Sequence, residues 1–350
     1  MNNSLANRQK DTYWQMWRGI CIVAVVLLHC TGTGISFDSF DNIYYFIVIC
    51  IINSPVALFF VLSGYFVKAE SFSREIVGTQ LKKRTLKLFV PYLIWSLIYI
   101  VFNLLLHHEF SIKWIAECIF TGTAATPFYY ILVLFCFTLL TPLLIRFMHK
   151  RVFNILLFAC CFICLAVFYI LKLNGYDVWH SVRYTIVWLP FYYGGILIRN
   201  NNVRFRKLKK FAIILCILSL VLEFYEAIII WKYVSNSANM ILSQIKITSF
   251  LNSACIALLM FSYHTTPMKH DGLIEKTLSR LGDDSYGIFY VHCIFITLFQ
   301  IAFEKFNVTN IVPLPLLRIG ECILVLVLSM ITITLIRFLF RKKSTFLFGV

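Results

Sequence analysis

Residues 17–30 read WRGICIVAVVLLHC, an apolar run long enough to begin a membrane-spanning helix but interrupted by Arg18 and His29. On insertion scales a charged residue inside a span costs several kcal/mol, roughly 2.5–3.5 for Arg, so each of these two carries a functional expectation. Eleven residues at about 100° each make three turns plus about 20°. Arg18 and His29 are therefore predicted on one face of one helix, roughly 16 Å apart along its axis. That spacing suits an anionic group held at the water boundary and a proton acceptor deeper in the bilayer. A neutral imidazole accepts a hydroxyl proton near pH 7 because its pKa lies in that range. A helix-end Arg reaching toward phosphates and a hydrogen-bonded core His are the structural alternative.

The rest of the chain fits a membrane. Of 350 residues, 60% are hydrophobic and 14% charged, well under the roughly 25% charged residues of soluble domains. Apolar runs of about 16 to 25 residues occur near 17–36, 43–66, 86–106, 127–145, 152–171, 181–198, 211–231, 241–263, 285–303 and 314–338. The expectation is an all-α polytopic bundle of about ten transmembrane helices in a single domain, 1–350, with a polar tail over 1–15. Met1–Tyr13 is polar and no small-residue cleavage site follows the first run, so that run is expected to stay as a span. Ten spans place both termini on one side.

Charge selects the side. The net charge of +16 would suggest nucleic acid in a soluble protein, but here it follows the positive-inside rule and no nucleic-acid partner is expected. Most of the 32 Lys and Arg fall in the tails and alternate loops that share a side, among them Arg8, Lys10, Arg74, Lys82, Lys83, Arg84, Lys87, Arg204, Lys209, Lys269, Arg337 and Arg341. Lys113, Lys172, Arg183, Lys232, Lys246, Lys305 and Arg318 are scattered on the other side or in outer half-spans, where Asp38, Asp41, Glu109 and Asp177 also lie. Both termini are thus expected on the cytoplasmic side of the membrane. Of the twelve cysteines, all but Cys118 fall in apolar runs and read as small buried side chains, with neither a disulfide framework nor a metal site expected. Ser111–Phe120 reads either as a surface helix or as a loop, and Asn307-Val308-Thr309 matches a glycosylation sequon common by chance.

Other motifs are weak singly. Ser63-Gly64 within LFFVLSGYF (58–66) lets a helix approach closely or break. Lys82, Lys83, Arg84 and Lys87, beside an expected helix start before Pro91, suit a phosphorylated ligand or serve topology alone. Glu223 and Glu226, with Lys246, and the pair Arg318 and Glu321 are charges inside outer half-spans. They either neutralise one another or line an outward-open cavity. His292 lies about a third of the way into its span.

Taken in order, R-x10-H at 18–29, FFVLSGYF at 59–66, KKRTLKLFVPY at 82–92, PFYYILVLFCFTLLTP at 127–142 and SYGIFYVH at 285–292 resemble the acyltransferase-3 family of membrane O-acyltransferases. The similarity covers about 18–292, and the ordered set is specific where no single motif is. Pro127 stands where the family often has His, and Tyr129 where it often has Trp. The resemblance implies about ten spans and transfer of an acyl group, usually acetyl from acetyl-CoA, onto extracytoplasmic sugars. It implies His29 and Arg18 as catalytic, with Arg18, Lys83, Arg84 and Ser63 toward the donor. Glu223, Glu226, Arg318 and His292 are the expected acceptor-side residues. Some members carry an additional C-terminal esterase-like domain; the sequence after the last run is too short for one. The expected partners are acetyl-CoA, a surface glycan or its lipid-linked precursor, and membrane lipid. A glycan or lipid transporter, or a succinyl donor, remain the alternatives, and the oligomeric state is not legible.

Overall fold

In a computed structural model of the chain the described residues are 11–31, 50–73, 75–107, 111–176, 185–201, 203, 205–234, 238–241, 243–264, 272–308 and 314–350. Arg8, Lys10, Asp38, Asp41, Arg74, Glu109, Asp177, Arg183, Arg204, Lys269 and the sequon's Thr309 lie outside them, as does the first part of the run at 43–66.

Among the described residues twelve helices of ten residues or more carry the fold: α1 (Thr12–Cys30), α2 (Pro55–Tyr65), α3 (Val77–His107), α4 (Ile112–Thr121), α5 (Tyr129–Phe147), α6 (Arg151–Leu173), α7 (Thr185–Asn200), α8 (Lys209–Tyr233), α9 (Ile247–Tyr263), α10 (Leu273–Asp283), α11 (Ser285–Lys305) and α12 (Leu314–Phe340). No strand occurs among the described residues, and the protein is an all-α polytopic bundle. Seven helices (α1, α3, α5, α6, α8, α11, α12) are long and apolar enough to cross a membrane; Cys50–Tyr65 and α9 are shorter apolar helices. Every one of the ten apolar runs has a helix, the run at 181–198 having the 16-residue α7.

Sequence chemistry explains the helix ends. The Asp11 side chain accepts from the Tyr13 amide at 3.2 Å, so α1 starts five residues before its apolar run and carries Tyr13, Trp14 and Trp17. Tyr13 Oη donates to the Met260 carbonyl at 2.5 Å, and Trp14 packs on the His264 ring at 4.4 Å, as amphipathic rings at an interface do. Ser111 Oγ accepts from the Trp114 amide at 3.4 Å and Gly122 ends α4 with φ 76°, which settles Ser111–Phe120 as a helix. Cys118, the one cysteine expected in a loop, is buried on that helix.

Two expectations are corrected. The basic cluster does not precede a helix start: α3 begins at Val77, because Gln80, Leu81, Lys82, Lys83 and Arg84 are good helix formers with no breaker among them. The four cations therefore ride inside a 31-residue helix, away from its N-terminal amides. The connection near 264–284 also holds α10, an amphipathic helix laid along the first half of α1. A Cβ at Gly282 would stand 1.8 Å from the Gln15 carbonyl oxygen, and one at Gly19 would stand 2.0 Å from that of Leu278. Backbone meets backbone there, which only glycine permits. The same device joins α2 to α7, where a Cβ at Gly64 would be 1.9 Å from the Tyr192 carbonyl oxygen. The Ser63-Gly64 reading as a close-approach motif is thus realised.

One end of the bundle collects the basic helix termini. Arg337 at the end of α12 pairs with Asp284, the residue before α11. Lys209 of α8 lies over the Tyr263 ring at 4.9 Å, and Arg199 of α7 over the Tyr65 ring at 5.4 Å. Asp11 bonds His264 across 2.8 Å. The centre is aromatic, with Phe60, Tyr92, Phe128, Phe137, Tyr192, Tyr193 and Tyr290 almost wholly buried. α6, α8 and α12 bury the smallest shares of their apolar surface, which is left for lipid.

Candidate active site

α1 packs against α10, α11, α12 and α2, with Arg18 near the end of α10 and His29 beside α11. Arg18, one turn after Gln15, donates to Gln15 Oε1 across 3.4 Å. Its electrostatic neighbours are Tyr130 of α5, Asp283 at the end of α10 and Cys21. Arg18 is only half-buried although protein surrounds it. Among the described residues Gln15 Oε1 is the one hydrogen-bond partner of its guanidinium, which leaves donors for a ligand.

Hydroxyls continue from there. Ser63 Oγ and Tyr130 Oη lie 3.3 Å apart, and Tyr286 Oη and Tyr290 Oη 3.0 Å apart. Tyr192 Oη bonds Thr141 Oγ1 at 2.7 Å, and Arg84 is the cation nearest in effect to that phenol. Arg84 is half-buried with its guanidinium over the Phe72 ring at 5.0 Å. Lys83, about 100° around α3, is exposed with Lys82 and Lys87. The structure thus brings together Arg18, Ser63 and Arg84 around Tyr130 and Tyr192, and leaves Lys83 outside. The tyrosines were missed in the sequence, although Tyr130, Tyr286 and Tyr290 stand inside the quoted motif blocks. A buried phenol needs a partner for its hydroxyl, and that was the available signal.

Farther along α1, His29 meets His292 of α11 with ring centroids 5.4 Å apart. His292 is fully buried and its Nδ1 lies 3.0 Å from the Ile288 carbonyl oxygen. A carbonyl only accepts, so Nδ1 carries the hydrogen and Nε2 of the neutral ring is an acceptor, with Cys293 Sγ 3.3 Å away. His29 is half-buried, and among the described residues its ring has no hydrogen-bond partner. One imidazole is locked by its own helix; the other is free to take a proton.

Beyond His29, Cys30 hydrogen-bonds Cys322 of α12 and lies within the fields of Glu321 and Arg318. Arg318 Nη1 donates to Glu321 Oε2 at 2.8 Å. The other expected acceptor residues belong elsewhere. Glu223 on α8 accepts from Ser249 at 2.5 Å and Asn252 at 2.8 Å and faces Lys246 Nζ at 3.7 Å, the Glu and Lys both wholly buried. Glu226 accepts from Tyr169 and from Thr248. These bonds tie α8 to α9 and α6, and none of them reaches His29. Among the described residues no three His, Cys, Asp or Glu side chains converge as metal ligands would.

A family model described as an acyltransferase domain matches residues 11–337, nearly the whole chain. The protein belongs to the acyltransferase-3 family and is a multi-pass membrane acyltransferase. No curated protein and no solved structure matches it.

Proposed function

We propose that the protein is a bacterial inner-membrane O-acetyltransferase. In this reading it moves acetyl from cytoplasmic acetyl-CoA to a hydroxyl of a surface polysaccharide or its lipid-linked precursor. The observation that carries the reading is the single face of α1 that holds Arg18 and His29, both only partly buried, with the Ser63 and Tyr130 hydroxyls near Arg18. Arg18 and Arg84 hold phosphates of the donor near the end where the basic termini gather, and Ser63 and Tyr130 bond its polar arm. Coenzyme A is too polar to cross, so only the thioester end extends the roughly 16 Å from Arg18 to His29. An acceptor hydroxyl arriving from the opposite side passes its proton to His29 as its oxygen attacks the thioester carbonyl. The tetrahedral intermediate collapses, the C–S bond breaks, and the imidazolium returns its proton to the leaving thiolate. His292 packs against His29 and fixes the ring that does this work. Arg318 and Glu321 receive the acceptor, while the saturated bonds of Glu223 and Glu226 suit them to holding α8 to α9.

Sealed vesicles of known orientation test the scheme. Acetyl-CoA is expected to support transfer from the cytoplasmic face alone, with the acylated sugar appearing on the other face; equal use of donor from both faces sinks the sided mechanism. Mass spectrometry of surface glycans from a deletion strain separates enzyme from transporter, because the enzyme's loss removes an acyl mark and leaves the glycan in place.

A further inference from the structure

Arg318 and Glu321 sit one turn apart on α12 and share one bond. Glu321 is 1% exposed. That bond leaves Arg318 Nε and Glu321 Oε1 buried with no hydrogen-bond partner among the described residues. Buried polar atoms in native proteins are nearly always bonded, and an orphaned one costs about 1–3 kcal/mol. Two orphans on one ion pair, one a donor and one an acceptor, match a ligand group that both accepts and donates.

Their position gives that match a use. Glu321 is next to Cys322, which bonds Cys30, which is next to His29. α12 ends at the basic face of the bundle through the Arg337–Asp284 pair. Nineteen residues of helix put Arg318 about 28 Å from Arg337, whereas His29 is about 16 Å from Arg18, which neighbours Asp283. The pair therefore stands on the far side of His29 from Arg18, where an acceptor would arrive.

We infer that Arg318 and Glu321 form the acceptor subsite and that it takes a neutral, hydroxyl-bearing sugar ring in preference to an anionic sugar such as a uronate or sugar phosphate. This rests on the acyltransferase reading above. The guanidinium charge is already cancelled at bonding distance by Glu321, so an incoming anion gains little from Arg318 and meets a carboxylate. A carboxylate or fully ionised phosphate has no hydrogen to give Glu321 Oε1. A hydroxyl accepts from Arg318 Nε–H and donates to Glu321 Oε1, and neighbouring hydroxyls on one ring fill both orphans together.

The test uses the full chain in lipid nanodiscs with no donor present. Saturation-transfer NMR reads binding of methyl glucoside, methyl galactoside, methyl glucuronide and glucose 1-phosphate, and titration calorimetry reads CoA on the same samples. The neutral glycosides are expected to bind at least tenfold more tightly than the two anions. Glu321→Gln keeps the shape and frees the Arg318 charge, so it is expected to reverse that order. A second variant, Arg318→Met with Glu321→Leu, replaces the pair with apolar volume, a change that folded proteins tolerate well. It is expected to lose sugar binding and keep CoA binding, and it carries the test if Glu321→Gln does not fold. Equal binding of glucuronide and glucoside overturns the inference, as does no sugar binding at all, or an undiminished glycoside affinity in the double variant. If sugars bind as expected and CoA does not, the donor half of the proposed reaction fails and the subsite stands.

Discussion

Two buried polar regions of this bundle are bonded to different degrees. Between α8 and α9, Glu223 has three partners and Glu226 two, and Ser219 and Asn53 extend the same set of bonds through Asn252 and Ser249, with Lys246 Nζ and Asn53 Oδ1 left without a hydrogen bond among the described residues. Along α1, α11 and α12 the polar groups are poorly served among the described residues: Arg18 has one long bond to Gln15, His29 has none, and Arg318 and Glu321 each keep an orphaned atom. A saturated network rigidifies and specifies packing, whereas polar groups left short of partners inside a protein mark where a ligand completes the set. Inspected as charges in spans, the two regions look alike. Their bonds tell them apart.

The largest effect that separates them is catalytic. His29→Ala is expected to cut acyl transfer by about 10²–10⁴, the usual worth of a general base, at matched protein levels and with an unchanged melting temperature. Near-normal transfer removes the catalytic role, and a large fall in melting temperature makes His29 part of the packing. Glu223→Ala is the mirror case. It leaves the wholly buried Lys246 without its counter-ion and is expected to cost about 3–5 kcal/mol in stability, read by thermal unfolding in detergent. The fraction that stays folded keeps its affinity for CoA. A stable Glu223→Ala protein that fails only in acceptor use would return Glu223 to the acceptor site and erase the contrast.

Arg18→Lys probes the column at its donor end with a smaller change. Arg18 spends little of its bonding capacity on protein, and a guanidinium forks two bonds to a phosphate where an ammonium offers a point charge. Transfer is expected to fall about tenfold with Lys and about a hundredfold with Ala. Full activity with Lys shows that the site asks only for positive charge.

The α1 face, the all-helical class and the sorting of basic residues were legible because each follows from local arithmetic: 100° per residue, span length and charge asymmetry. The pairing of His29 with His292 was not. Both were singled out, but 263 residues separate them and only the packing of α1 on α11 brings the rings within 5.4 Å. α10 was missed because its helix is short and polar on average, and what fixes it is tertiary, the glycine contact between Gly282 and Gln15. The charges of the outer half-spans were flagged as a group and could not be divided, since a paired Glu and a half-paired Glu have the same sequence. Lys83 and Arg84 posed the same difficulty in miniature.

That pair supplies the smallest and most local prediction. The two cations are neighbours in sequence, yet on a helix they point about 100° apart, and α3 turns Arg84 toward Phe72 and Tyr192 while Lys83 stays exposed. An exposed cation at a membrane surface is screened by salt within about 8–10 Å and is exchangeable with its neighbours Lys82 and Lys87. A half-buried guanidinium facing the Tyr192 side is neither. Arg84→Ala is therefore expected to raise the KM for acetyl-CoA several-fold with little change in kcat, because it removes a contact made alike in ground state and transition state. Lys83→Ala is expected to leave both parameters within about twofold, and what small effect it has should vanish on raising the salt to about 0.5 M. Steady-state kinetics on the two single variants decide this. Equal, salt-sensitive losses from both would make the cluster a diffuse basic surface, and the donor end of the column would then rest on Arg18 alone.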